Sequence, residues 1–339
     1  MQFVIRLHPI MNSKLYKKLV FCILLSLGEF AKAELCNPDQ QFCANDHHHS
    51  SSSSSSHPTS SSSLNFNPST VPVSRGIGLE TIYYKSLDFA LVTGTGRIGA
   101  AISPANNDET FFGAPGFEST QDYLNRNINQ TKYPTQKYTF ATAFNIYENE
   151  ESGLRKMALN VGVLGKYNSI SESISPGGGI SGLLGPFSFS YAIFQDESNV
   201  DLNNSIPGAK VRMLYQIQTY SVGLSLGSLS LDYSVLNLSL TDTQLTGVYN
   251  SSLTDADPAI VSLLTATLLY QRAIITLAGR QENSNRPVYN SDSKTLSSQQ
   301  IENQVFASTQ FILGPHFFIG AFYNYYLLRE FSAGLTLFF

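Results

Sequence analysis
The sequence predicts an all-β protein: a closed, transmembrane, antiparallel up-and-down β-barrel of about twelve strands, in a range of about ten to fourteen. Three observations carry this. Residues 331–339 alternate, with Phe331, Ala333, Leu335, Leu337 and Phe339 apolar and Ser332, Gly334 and Thr336 small or polar, so one strand face is greasy and the other quiet. Such a strand at the edge of a soluble sheet would template aggregation, whereas a closed barrel pairs it with the first strand. The composition is 42% hydrophobic but only 14% charged, against about a quarter charged in soluble domains. A barrel whose strands turn half their residues to lipid, around a lumen of Ser, Thr, Gln and Asn, accounts for that deficit. Finally, alternating segments recur from about residue 74 onward, separated by tight and long connections in turn.

The terminal pattern of Ser332, Gly334, Leu337 and Phe339 resembles the C-terminal insertion signal of Gram-negative outer-membrane β-barrels. The resemblance implies integral residence in the bacterial outer membrane, both barrel termini on the periplasmic side, and two partners: outer-membrane lipid and the barrel-assembly machinery.

At the N-terminus, residues 1–33 read as a secretory signal peptide. Lys14, Lys17 and Lys18 precede an apolar run too short to span a bilayer, and Ala31-Lys32-Ala33 offers a small-x-small cleavage site. Residues 34–73 then form a periplasmic segment. In an oxidising compartment Cys36 and Cys43 are expected to close a local disulfide. The Ser-rich stretch 46–63 reads as a flexible tether; its His47, His48, His49 and His57 are weak metal-ligand candidates against the plainer reading of a polar linker. Of 21 basic and 25 acidic residues, five basic (Arg6, Lys14, Lys17, Lys18, Lys32) and one acidic (Glu29) fall in the signal, leaving 16 against 24. That acidic balance argues against nucleic acid as a partner.

From 74 to 339 the alternation predicts strands at 77–83, 87–102, 138–146, 157–163, 187–193, 211–226, 229–235, 263–269, 273–279, 301–311 and 317–325, then the terminal strand. Parity counted back from Phe339 assigns tight periplasmic turns at 314–315, 270–272 and 227–228, and long polar extracellular loops at 283–297, 241–258 and 198–209. Pro176-Gly177-Gly178-Gly179 reads as a longish connection. Segment 104–135 breaks the count, because parity places it on the periplasmic side, where turns are short. It is a missed strand pair, a periplasmic loop or a lumen plug.

Gly94-Thr95-Gly96-Arg97-Ile98-Gly99, followed by Asn107-Asp108 and Phe111-Phe112-Gly113-Ala114-Pro115-Gly116, resembles the N-terminal plug of the long-chain fatty-acid and hydrocarbon transporter family of outer-membrane barrels. In that family Asn precedes the Pro; here Ala114 does. The resemblance implies that Arg97, Asp108 and Phe112 constrict the lumen. The alternative is a glycine-rich strand followed by a loop.

If odd apolar positions face lipid, the even ones face inward. Lumen-lining candidates are then Lys156, Asn160, Lys166, Arg212, Gln216, Gln218, Asp232, Arg280, Glu302, Gln304 and Gln310. Their mixed signs favour neither anion nor cation. The only histidine beyond the linker is His316, beside Pro315 in a tight turn, so the general base of a barrel hydrolase is missing from the rim where it would act. The expectation is a non-enzyme without cofactor: a passive pore for small solutes. The alternatives are a non-transporting barrel with a closed polar interior that serves surface contact, and a transporter of hydrophobic compounds.

Overall fold
Every strand of the main sheet has a hydrogen-bonded neighbour on both sides, so no edge is left for the apolar strands to expose. The computed structural model describes residues 67–71, 76–84, 86–105, 137–149, 156–169, 171–201, 210–226, 228–246, 259–270, 272–283, 288–290, 295–297, 302–314, 317–324 and 331–338; the barrel lies within the unit Leu35–Phe339. Its strands are β1 (Gly76–Tyr84), β2 (Ser86–Gly94), β3 (Ile98–Ala105), β4 (Lys137–Glu148), β5 (Met157–Asn168), β6 (Ser173–Leu184), β7 (Phe187–Asp201), β8 (Lys210–Leu226), β9 (Leu229–Thr246), β10 (Ala259–Tyr270), β11 (Ala273–Asn283), β14 (Glu302–Gly314), β15 (Phe317–Asn324) and β16 (Phe331–Phe338). Between β11 and β14, the short β12 (Val288–Asn290) and β13 (Thr295–Ser297) pair only with each other.

The sheet is antiparallel throughout, in up-and-down order, and closes where β1 meets β16 from Gly78 opposite Phe338 to Tyr83 opposite Ala333. Gly334 of the terminal strand lies between Ile82 and Gly320, Leu337 between Leu79 and Phe317, and Ser332 opposite Phe322. Phe339 lies outside the described residues.

The barrel has fourteen strands where the sequence suggested about twelve. Segment 87–102, expected as one strand, is two: β2 and β3 are joined by a turn at Thr95–Arg97, where Gly96 takes a φ of 101° that a side chain would resist. The Pro176–Gly179 stretch is no connection but the middle of β6. These two strands repair the parity. The connection 106–136 leaves β3 and enters β4 at the same end as the connections 202–209, 247–258 and 284–301, opposite the tight β8–β9, β10–β11 and β14–β15 turns. Its placement on the tight-turn side is corrected, although residues 106–136 themselves lie outside the described ones.

Most large apolar side chains point outward. Among those exposed are Phe89, Leu91, Phe140, Val163, Phe189, Val222, Leu264 and Ile319, each at least 43% exposed. The buried inner face is mostly small or polar: Ala90, Ala141, Ala143, Ala192, Ser181, Ser190, Ser221, Ser234 and Thr276. This is the reverse of a soluble fold, whose exposed apolar residues are scattered rather than continuous.

Candidate functional site
The interior is built in layers that follow from register. Ala143, Gly162, Gly179, Ala192, Thr219, Leu236 and Val261 are successive cross-strand partners from β4 to β10. The first four are so small that the wall recedes there, and a one-turn 3-10 helix, Pro68–Thr70, fills the recess. A Cβ at Gly162 would collide with Pro68 and the Ser69 nitrogen; one at Gly179 would collide with Asn67 Oδ1.

Asn67 caps this turn and ties it to the wall. Its Oδ1 accepts from the Ser69 backbone N–H at 3.0 Å and the Ser69 hydroxyl at 2.7 Å. Its Nδ2 donates to the carbonyl oxygens of Ile180 at 3.2 Å and Tyr191 at 3.4 Å. Ser181 Oγ donates to the Ser69 carbonyl at 3.3 Å. Pro68 sits at the start of the turn, where its missing N–H costs nothing. Asn67 to Val71 are all buried. The occupant of the interior thus comes from the segment before β1, which sequence reading assigned wholly to the periplasm. Asn67-Pro68 is a cap-plus-proline signal that alternation alone passes over.

On the long-connection side of the turn lies an apolar row, Ala141, Leu164, Gly177, Phe194 and Ile217. Beyond it is a charged cluster. Lys166 Nζ pairs with Asp196 Oδ2 at 2.9 Å and stands 4.8 Å from the Phe194 ring centre. Glu197, 2% exposed, accepts from Asn168 Nδ2 at 3.2 Å and Ser173 Oγ at 2.8 Å. On the tight-turn side runs a hydroxyl row, Asn160, Ser181, Ser190, Ser221 and Ser234, with the Ser234 hydroxyl donating to Ser221 at 2.6 Å.

The lumen candidates divide. Asn160, Lys166, Asp232 and Gln310 lie on the inner face; Lys166, Asp232 and Gln310 are almost fully buried, and the Asn160 and Gln310 side-chain oxygens are buried without a hydrogen-bond partner. Register puts Arg280 and Gln304 opposite each other, Arg280 opposite Leu263, and Glu302 opposite Glu282. Arg212 of β8 is the register partner of Asn199 in β7 and Gln244 in β9. Lys156 is not in the lumen: it stands at the tight-turn rim, 3.4 Å from Glu148.

Gln216 and Gln218 are corrected outright. On β8 the buried residues are Tyr215, Ile217, Thr219 and Ser221, while Tyr220 and Val222 are exposed, so the glutamines face outward. The Tyr220 hydroxyl donates to Gln218 Oε1 at 2.9 Å on that outer face. There Gln195, Gln216 and Ser239, then Gln218 and Asn237, form a polar collar above the apolar belt.

Of the plug candidates, Arg97 is exposed in the β2–β3 turn and does not constrict the lumen. Asp108 and Phe112 lie outside the described residues. So do Cys36, Cys43, His47, His48, His49 and His57.

No protein-family model and no curated protein matches the chain. Among solved structures, it is similar to the CymD monoaromatic hydrocarbon channel at 8% identity and a TM-score of 0.43, over 82% of this chain and 92% of that one. It is also similar to the Pseudomonas putida toluene transporter TodX (9%, 0.39, over 84% and 94%). A third is Salmonella typhi OmpF, solved with daunomycin (8%, 0.37, over 78% and 96%).

Proposed function
We propose that the protein is an integral barrel of the bacterial outer membrane that admits small solutes and is held closed by the turn at Asn67–Val71. The single observation that carries this is that turn, buried inside the barrel against a wall thinned to glycine and alanine. The continuous outer face of large apolar side chains supports residence in a bilayer, where a closed barrel satisfies every backbone polar group. Solutes would enter from the long-connection side, past Lys166 and Glu197, and leave by the hydroxyl-lined half. In this role the chain is not an enzyme.

A second reading is favoured by the inner apolar residues Leu164, Phe194, Ile217, Leu236, Val261 and Leu263, all buried: the solute is itself apolar. Single-channel recording in planar bilayers tests the proposal. Deleting residues 67–71 should convert a closed barrel into one with unitary conductance steps. A folded deletion variant that stays silent overturns the conduit and favours a non-transporting barrel with a closed interior.

A further inference from the structure
Between the Asn67 turn and the tight-turn end, Ser188, Gly223, Asp232 and Thr265 are successive cross-strand partners on β7, β8, β9 and β10. All stand on the inner face. Asp232 is 6% exposed and Thr265 1% exposed, and Thr265 Oγ1 is buried with no hydrogen-bond partner. A Cβ on Gly223 would collide with both Asp232 Oδ1 and Ser188 Oγ, so those two oxygens gather over the same bare stretch of backbone. Directly opposed residues have Cβ atoms about 4.5–5.5 Å apart, which sets Thr265 on the other flank of the carboxylate.

A carboxylate withdrawn from water is heavily penalised unless positive charge meets it, and a buried hydroxyl without a partner is a second penalty. A small cation relieves both, taking charge from the carboxylate and lone pairs from the hydroxyls; a proton on Asp232 that lets it donate to Thr265 would do so without any ion, and the salt series below separates the two. One carboxylate among neutral oxygens balances a single positive charge, whereas divalent calcium sites gather several carboxylate and carbonyl oxygens. We infer that Asp232, Ser188 and Thr265 form a site for one monovalent cation, an alkali-metal ion or the ammonium group of a primary amine. The site does not require the barrel to conduct.

The test uses the full chain folded in detergent. Thermal unfolding, followed by loss of fast gel migration, is measured in sodium, potassium, methylammonium and N-methylglucamine chloride at equal ionic strength. The midpoint is expected to fall by several degrees in N-methylglucamine, whose cation is too large for the site. Which of sodium, potassium or methylammonium restores it separates an inorganic ion from an amine head group. Asp232→Asn should abolish the dependence, and Thr265→Val, which removes the hydroxyl while keeping the shape, should weaken the apparent cation affinity about tenfold. Equal midpoints in all four salts, or an undiminished dependence in Asp232→Asn, overturn the site. Arg280 of β11, the register partner of Leu263, is tested as a competing cation. If it neutralises Asp232, Arg280→Gln and Asp232→Asn destabilise alike while the wild type ignores the salt, which also overturns the site. Should Asp232→Asn fail to fold, Thr265→Val decides alone, and unchanged affinity sinks the inference. A silent barrel in bilayers leaves these outcomes untouched, so the site and the conduit fail separately.

Discussion

Asn67 donates to the Ile180 carbonyl oxygen at 3.2 Å across 113 positions of sequence, and that bond joins the segment before the barrel to the middle of β6. The same side chain caps the turn through Ser69. Asn67→Ala should therefore cost about 1 kcal/mol from the cap, as other N-cap losses do, and release the Ile180 and Tyr191 bonds as well. Bilayer recordings should then show a higher open fraction than wild type, with the barrel's heat-modifiable migration retained. An unchanged open fraction would remove Asn67 from the closing mechanism.

Gly162 gives the companion test from the wall side. Its missing Cβ leaves room for Pro68 and Ser69, and overpacking of such a contact costs about 1–3 kcal/mol. Gly162→Val should expel the turn and raise conductance. The reverse should follow from locking it: a disulfide between Ser69→Cys and Ser181→Cys would keep the barrel closed until a reductant is added.

Lys166 and Asp196 form an ion pair whose side chains are 5% and 15% exposed. Removing one partner of a buried pair costs about 3–5 kcal/mol, while replacing both by apolar groups is often neutral. Lys166→Met should lower the urea midpoint of unfolding clearly, and Lys166→Met with Asp196→Leu should recover most of the loss. If the double variant is as weak as the single one, the pair is not acting as a pair.

The outer face of β8 should read depth. Val222 is 59% exposed in the apolar belt and Gln218 lies in the polar collar. An arginine near mid-membrane costs about 2–4 kcal/mol and close to nothing at the interface. Val222→Arg should fold poorly into lipid vesicles where Gln218→Arg folds as wild type. Equal yields would place the belt elsewhere.

Much of the wall was legible because period-two alternation needs no partner to be seen. β7 and β9 show Phe187, Phe189, Ile193 and Tyr233 outward on odd positions, as expected. Two strands hid for a local reason. In β6 the inner face is Ser175, Gly177, Gly179 and Ser181 with Pro176 and Gly178 opposite, so hydrophobic contrast vanishes over the run that reads as a turn. In β2 and β3 the tight turn at Gly96 hides among Gly94, Gly96 and Gly99, although the outward face changes across it from odd positions (Phe89, Leu91) to even ones (Ile98, Ile102).

The alternating residues by themselves determined that this chain would be a closed antiparallel barrel with one apolar face, since that pattern and the need to pair every strand admit few other folds. Tertiary structure alone decided which face of β8 turns inward. Alternation says that two faces differ, but Tyr215 and Ile217 are inside and Gln216 and Gln218 outside because the strand continues past the apolar belt. It alone decided what fills the interior too. The Asn67 turn is held by carbonyls and glycines more than ninety positions away, and such a contact has no local period to betray it.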